Sequence, residues 1–242
     1  MSLEYRGEDH PDSDVDALRT IVIPPPIYTL IILICIGAVT VAQLITGYEY
    51  SVPTAAFDKL MFRQGEYWRI LTGIVSHGFL LHAFMNGYAL YSFGRLMELL
   101  ANRAHLATVF LLSALGGSLL SLYFLPDESS VGASGGIVGL IGYLLVYAFR
   151  RRRFISAEFR KSLLINIAFI LVFGLVLYQI VDNYGHIGGL LVGIFYGLIQ
   201  IPSNEYVNPQ NATVFSRVLG VVSLGIYIVS TGLALLIILS GR

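Results

Sequence analysis

Charge is the scarcest feature of this 242-residue sequence, in which 12% of the residues are charged, about half of the share that is usual in a soluble domain. The 15 basic and 15 acidic residues balance, so nothing favours a nucleic-acid partner. A single cysteine, Cys35, excludes a disulfide framework. The sequence has no His-Glu-x-x-His run and no convincing zinc spacing among its histidines, so we expect no metal site.

What the sequence has in abundance is long apolar runs, since 56% of its residues are hydrophobic. A helix needs about 20 mostly apolar residues to cross a bilayer. The runs therefore predict an all-α, polytopic membrane helix bundle with seven spans: 27–47, 79–99, 104–125, 134–149, 162–180, 185–201 and 215–239.

The segments between the spans predict the organisation and orientation of the chain. Residues 1–26 are acidic and lack an early apolar region, so we expect a short cytoplasmic tail. Residues 48–78 are rich in aromatic side chains and predict an external loop at the membrane interface. Residues 202–214 predict a cytoplasmic linker before a seventh helix within 215–242. With the N-terminus in the cytoplasm, 11 of the 15 basic residues lie on the cytoplasmic side, the Arg150–Arg153 run included.

Four polar residues lie inside the predicted spans, where the hydrocarbon of a membrane disfavours polar side chains: His82, Asn86, Ser134 and His186. Counted from the cytoplasmic ends of their spans, Ser134, His186 and His82 lie at similar depths, about 20 to 24 Å along the helix axis. Each residue taken singly has a structural explanation. The serine could bond to its own helix, and the histidines and the asparagine could form hydrogen bonds between helices. Their common level favours a shared site. Arg95 and Glu98, three residues apart near the cytoplasmic end of the second span, are interpreted as a snorkelling pair.

Glycine spacing indicates that the fourth and sixth spans pack closely. The sixth span has glycine at every fourth position from Gly185 to Gly197, and the fourth has Gly135, Gly139 and Gly142. Small residues at such spacing let membrane helices approach each other. This packing would bring Ser134 and His186 within hydrogen-bond reach.

Such a pair permits nucleophilic catalysis. A serine hydroxyl becomes a good nucleophile when a neighbouring base takes its proton, and His186 would be that base. No carboxylate in the sequence is evidently placed to orient it, so we expect a dyad. The Asn86 amide, a His82 ring N–H and the Ser134 backbone N–H are candidates to stabilise the oxyanion, and Gly132 and Gly135 allow close approach beside the serine.

The same residues carry a family resemblance over roughly residues 27–201. The motifs are Gly132-Ala133-Ser134-Gly135, His82-x-x-x-Asn86 preceded by His77, Gly185-His186-Ile187-Gly188-Gly189 and Glu66-Tyr67-Trp68-Arg69. In order and spacing, the set resembles the rhomboid family of intramembrane serine proteases. Val138 is a departure, because many members have an aromatic residue four positions after the serine.

The resemblance implies a six-helix protease core over 27–201 with one C-terminal transmembrane helix added. It implies a Ser134–His186 dyad, oxyanion stabilisation by His82 and Asn86, a first loop braced through Trp68 and Arg69, and no cofactor. The expected activity is cleavage of transmembrane protein substrates in the bilayer of a bacterial plasma membrane. A non-catalytic rhomboid-like protein that binds or escorts membrane proteins is the alternative; a transporter is less favoured, because we find no clear inverted repeat.

Overall fold

The computed structural model of the chain describes residues 24–240. Its elements are α1 (Ile27–Thr46), α2 (Tyr48–Ala55), β1 (Phe57–Asp58), α3 (Lys59–Arg63), α4 (Arg69–Gly73), α5 (Leu80–Leu100), α6 (Arg103–Phe124), β2 (Ser129–Ser130), α7 (Ser134–Arg150), α8 (Ala157–Val176), α9 (Asn183–Gln200) and α10 (Val214–Ser240). The predicted all-α bundle is confirmed, with a helix for each of the seven predicted spans. Most of the predicted tail, residues 1–23, lies outside the described residues.

Four of these helices, α1, α6, α8 and α10, are long and apolar enough to cross a membrane, and α7 is apolar but shorter. The helices α5 and α9, which carry His82, Asn86 and His186, fall outside this set. The chain is therefore a multi-pass membrane protein in which His82, Asn86 and His186 lie on the two long helices outside this set, and Ser134 lies on the apolar helix α7.

Helix ends differ from the predicted spans where a side chain caps the helix. The fifth span was predicted at 162–180, but α8 begins at Ala157 because Ser156 Oγ accepts a hydrogen bond from Phe159 N at 3.2 Å. It ends at Val176 and is followed by turns. Asp182 likewise caps α9, so that helix begins two residues before the predicted span.

The centre of the bundle is α7, which packs against α6 and α9. Its residues Leu140, Tyr143 and Leu144 are fully buried. The C-terminal helix α10 packs on α1 and α6, where its Tyr227 is buried with its ring centroid 5.3 Å from that of Phe110. In contrast, α8 is largely exposed in the bundle, so it contributes least to the protein core.

Residues 48–78 were predicted as a loop, and the structure folds them into three short helices and one strand. The strand β1 pairs with β2 in antiparallel register, with Phe57 opposite Ser130 and Asp58 opposite Ser129. This pairing fastens the segment next to the start of α7, four residues before Ser134.

The opposite end of the bundle is held by side chains that bond to the linker before α10. The Arg151 side chain is buried and donates to Pro202 O at 3.0 Å and to Val207 O at 2.8 Å. Gln210 Nε2 donates to Leu99 O at 2.6 Å. The linker is therefore a packed connection at the Arg150 end of the bundle, far along α7 from Ser134.

Candidate active site

Ser134 is the first residue of α7, so its hydroxyl lies beside backbone N–H groups that have no partner within the helix. The chain reaches it through Gly132, whose φ of +120° is rarely adopted by residues with a side chain. Gly132 N donates to Gly73 O at 2.9 Å, which ties the turn to α4. The glycine thus lets the backbone turn sharply just before the serine.

His186 lies in the first turn of α9 and is buried. Its Nε2 is 2.9 Å from Ser134 Oγ, which is a hydrogen-bond distance. The two residues are 52 positions apart in the chain and come from different membrane helices. The structure therefore brings together the two residues that were predicted to form a dyad.

The approach of α7 and α9 depends on glycine. A Cβ added to Gly189 would lie 2.1 Å from Gly135 O, and one added to Gly193 would lie 1.9 Å from Gly139 O. Neither distance leaves room for a carbon atom, so backbone touches backbone at both points. These contacts follow directly after Ser134 on one helix and His186 on the other, and they hold the pair together.

His82 and Asn86 face the same turn from α5. A Cβ added to Gly132 would lie 2.9 Å from His82 Nε2 and 3.5 Å from Asn86 Nδ2. Asn86 is buried, and within the described chain its Nδ2 has no hydrogen-bond partner. Two nitrogen atoms that can donate hydrogen bonds therefore point at the backbone beside Ser134.

His77 packs behind His82, with the two rings edge to face and their centroids 5.1 Å apart. Gln43 holds the His77 backbone through two hydrogen bonds, of 2.8 Å to its carbonyl oxygen and 3.1 Å from its N–H. Burial lowers the pKa of His77 to about 3, and the neighbouring His82 contributes in the same direction. The ring next to His82 is therefore neutral at physiological pH.

Trp68 and Arg69 lie outside the reacting pair and shape the loop that contacts it. The Arg69 guanidinium stacks 4.7 Å from the Trp68 ring centroid. Its Nη1 donates to three carbonyl oxygens, those of Pro53 at 3.0 Å, Thr54 at 3.3 Å and Ala56 at 3.1 Å. Arg69 therefore joins α2 to α4, and α4 in turn contacts Gly132.

A cavity lies beside Ser134, lined in part by Ile74, Gly117, Ser118, Ser130 and Asp182. Val138, one turn below the serine, is buried. The Tyr184 ring stacks on that of Phe124, with ring centroids 4.5 Å apart. Among the residues from 24 to 240, no group of three His, Cys, Asp or Glu side chains is placed to hold a metal ion.

Sequence reasoning missed three residues near the site: Lys59, Ser121 and Asp182. Lys59 Nζ donates to Ser121 Oγ at 2.7 Å, and Ser121 Oγ donates to Asp182 Oδ2. The signal for Asp182 was its position just before an apolar helix, which is typical of an N-cap. Lys59 and Ser121 gave no local signal, because their partners lie about 60 residues away.

Fold and geometry define the class of this protein: a multi-pass helical membrane protein in which a serine and a histidine from two glycine-packed helices come into contact. The family model described as "Rhomboid domain" matches residues 64–203, which is more than half of the chain. The chain belongs to the rhomboid family.

Its relatives include a protease and a protein described as inactive. "Rhomboid protease GluP" of Bacillus subtilis (strain 168) is 36% identical over 150 residues, which are 62% of this chain and 29% of that protein. "RHOMBOID-like protein 6, mitochondrial" of Arabidopsis thaliana is 35% identical over 145 residues, 59% of this chain and 47% of that protein. "Inactive rhomboid protein 1" of Papio anubis is 29% identical over 139 residues, 57% of this chain and 16% of that protein.

In each of these three comparisons, the match spans less than half of the relative's length. Membership in the family supports an intramembrane protease type of function at the level of the family. The family also contains proteins described as inactive. Activity of this chain is a separate question, which depends on its own residues.

Proposed function

We propose that this chain is an intramembrane serine endopeptidase in which Ser134 is the nucleophile and His186 the general base. The observation that carries the proposal is the 2.9 Å contact between Ser134 Oγ and His186 Nε2. A base within hydrogen-bond reach of a hydroxyl is what nucleophilic catalysis by serine requires.

The reaction would proceed in two halves. Ser134 Oγ attacks the carbonyl carbon of the scissile peptide bond while its proton passes to His186 Nε2. The tetrahedral intermediate collapses as the imidazolium protonates the leaving amine, and an ester to Ser134 remains. Water then gives its proton to His186 and attacks the ester, which releases the acid product and restores both side chains.

The negative charge of the tetrahedral oxygen needs donors that are already in place. The Asn86 Nδ2 amide, with no partner in the described residues and directed at Gly132 beside the serine, is well suited to that role. His82 Nε2 supplies a second donor from the same helix, and the Ser134 backbone N–H at the start of α7 a third. All three donors belong to the helices α5 and α7.

The substrates would be transmembrane proteins, and the site would face away from the cytoplasm of a bacterial plasma membrane. Ser134 opens α7 and the Arg150–Arg153 run follows its last turn, so the serine and the basic cluster lie at opposite ends of one helix. A basic cluster favours the cytoplasmic side. If α1, α5, α6 and α7 each cross the membrane once, the start of α1 would lie on that side too.

The decisive experiment uses the full chain in liposomes with a labelled single-span protein as substrate. We expect Ser134→Ala and His186→Asn to reduce cleavage below detection, since loss of the nucleophile or base in a serine protease can cost on the order of 10⁶ in kcat. Ser230→Ala is the control, because Ser230 is a buried helical serine in α10 whose hydroxyl donates to Ile226 O of the same helix.

A fluorophosphonate probe makes the test independent of the choice of substrate, because it reacts with an activated serine. Mass spectrometry should find the probe on Ser134 and not on Ser230. Cleavage by Ser134→Ala at the rate of the unmodified chain would overturn the proposal. An unreactive Ser134 that still captures single-span proteins would instead favour the non-catalytic escort.

A further inference from the structure

Lys59 is a lysine in an environment where lysine is rare. It is the first residue of α3, and its side chain is 1% exposed, although lysine is almost never fully buried unless it is paired. Within residues 24–240, no carboxylate oxygen lies within 4.0 Å of its ammonium group. Its hydrogen-bond partner is the hydroxyl of Ser121, at 2.7 Å.

Ser121 connects this ammonium group to a carboxylate. Ser121 is fully buried on α6, and its Oγ donates a hydrogen bond to Asp182 Oδ2. A hydroxyl has one proton to donate. Since that proton faces Asp182, the oxygen accepts from Lys59. A positive and a negative charge are thus joined through one hydroxyl across three elements of the fold.

Asp182 is the N-cap of α9, the helix that carries His186. Its Oδ1 accepts from Gly185 N at 2.8 Å, and its backbone oxygen accepts from His186 N at 3.2 Å. An N-cap of this kind fixes where a helix starts and how its first turn is oriented. His186 lies in that first turn, so the position of Asp182 is transmitted directly to the backbone of the histidine.

At its other end, this chain of hydrogen bonds reaches Lys59 in the 48–78 segment, which is paired through its strand β1 to the residues just before Ser134. Lys59 directly follows β1, and β1 pairs with β2 just before Gly132 and Ser134. Burial lowers the pKa of Lys59, while the carboxylates of Asp182 and Glu128 oppose that shift. Asp182, which reaches the lysine through Ser121, therefore offsets part of the cost of burying the positive charge.

We propose that Lys59 and Ser121 are positioning residues for the proposed peptidase: through the Asp182 cap, they fix the first turn of α9 and hold His186 against Ser134. The inference rests on the proposed function, but it concerns residues outside the dyad and the oxyanion site. It predicts that the 48–78 segment acts on both partners of the dyad. The segment acts on the serine through β2 and on the histidine through the Lys59–Ser121–Asp182 network.

The first test compares Lys59→Met and Ser121→Ala with two matched controls. The controls are Lys161→Met, an exposed lysine on α8, and Ser230→Ala. We expect both network variants to lower kcat and the rate of fluorophosphonate labelling of Ser134 by about 10- to 100-fold, as an ångström-scale misplacement of a catalytic group can do. KM should stay within about twofold, since neither Lys59 nor Ser121 lines the cavity beside Ser134. The controls should match the unmodified chain.

The second test distinguishes charge-linked positioning from simple packing. Lys59→Met leaves the Asp182 carboxylate without its positive partner. The double variant Lys59→Met/Asp182→Asn removes both charges and keeps an amide oxygen, which caps helices about as well as a carboxylate. We therefore expect the double variant to label faster than Lys59→Met alone. A packing role predicts that the double variant is equally slow or slower.

The outcomes separate the two proposals. If the unmodified chain labels at Ser134 and cleaves, but Lys59→Met and Ser121→Ala do so at the same rates, the positioning role is wrong and the peptidase stands. A double variant that labels no faster than Lys59→Met also overturns the positioning role. If the unmodified chain itself does not label, the peptidase proposal fails. Thermal unfolding of each variant shows whether it folds, and Ser121→Ala, which introduces no new bulk, decides the question if Lys59→Met does not.

Discussion

Substitution of Gly189 by alanine should separate the two helices that hold the dyad. A Cβ at this position would lie 2.1 Å from Gly135 O and 2.8 Å from Gly135 C, where ordinary contact begins near 3.4 Å. The obstacle is backbone, which cannot rotate away as a side chain can. The helices α7 and α9 must therefore move apart by about 1.3 Å at this point.

That displacement acts almost directly on the reacting atoms, because Gly135 is adjacent to Ser134 and Gly189 is one turn from His186. If the separation passes fully to the dyad, its 2.9 Å contact opens to about 4 Å, which is no longer a hydrogen bond. A misplacement of about 1 Å can cost 10²-fold in rate. We expect a loss of that order in the rate of Ser134 labelling and in substrate cleavage.

A graded series of glycine variants makes the assay specific. At Gly197, farther along α9, the nearest atom to an added Cβ is Val146 Cβ at 3.1 Å, so Gly197→Ala should cause a small loss. At Gly225, on the exposed face of α10, nothing lies within 4 Å, so Gly225→Ala should behave as the unmodified chain. Each variant is first checked by thermal unfolding in detergent, because separated helices also lose packing.

The order of rates should follow the order of contact distances. Gly189→Ala that folds and labels as fast as the unmodified chain would refute the argument that backbone contact sets the dyad distance. A loss in Gly225→Ala as large as that in Gly189→Ala would refute it equally, because the effect would then be general to membrane helices.

Three further predictions concern the surroundings of the dyad. His82→Ala and Asn86→Ala should each lower kcat by about 10²- to 10³-fold with little change in KM, as loss of an oxyanion donor does; unchanged kcat in steady-state cleavage would exclude that role. Arg69→Lys should lower the thermal unfolding midpoint, because one ammonium cannot reproduce a guanidinium bonded to three carbonyls, at about 1.5–3 kcal/mol for a bond to a charged group. The pKa of His77 is about 3 when folded and near 6.5 when unfolded, so protons favour the unfolded chain. Stability should be lost as the pH falls from about 6.5 toward 3, and His77→Gln should flatten that decline in a series of unfolding midpoints. An identical slope would contradict the assignment.

The bundle was largely predictable from sequence because the membrane imposes a simple rule on length and polarity. A run such as 27–47 has few alternatives to a spanning helix, and α1 covers Ile27–Thr46. The helix ends were less predictable where caps decide them. Ser156 starts α8 five residues before the predicted span, because a single hydroxyl outweighs the hydropathy of the residues around it.

The candidate site was predictable to the extent that it consists of polar residues in apolar runs. Ser134, His186, His82 and Asn86 stand out for this reason, and the glycines indicate which helices meet. Long-range pairs gave no such signal. Glu98 was interpreted as the partner of Arg95 in a snorkelling pair, but its Oε1 accepts from Thr29 N at 2.7 Å and from Thr29 Oγ1 at 2.8 Å, across 69 residues. That interpretation of Glu98 was wrong, because it considered only neighbours on one helix.

The way in which His186 is held explains why backbone contacts matter so much here. In a triad, a carboxylate bonded to Nδ1 orients the imidazole. His186 Nδ1 is buried and has no hydrogen-bond partner among residues 24–240. The carboxylate nearest in sequence, that of Asp182, has its two oxygens engaged by Ser121 and by Gly185 N–H.

The orientation of the ring must then come from where α9 begins and how closely it packs on α7. The Asp182 cap sets the first, and the Gly135–Gly189 contact sets the second. A dyad built this way gives up one hydrogen bond to the imidazole and depends instead on the placement of two helices. Variants that shift a helix by about an ångström should therefore cost about 10²-fold in rate, which is less than the roughly 10⁴-fold that a triad loses with its orienting carboxylate.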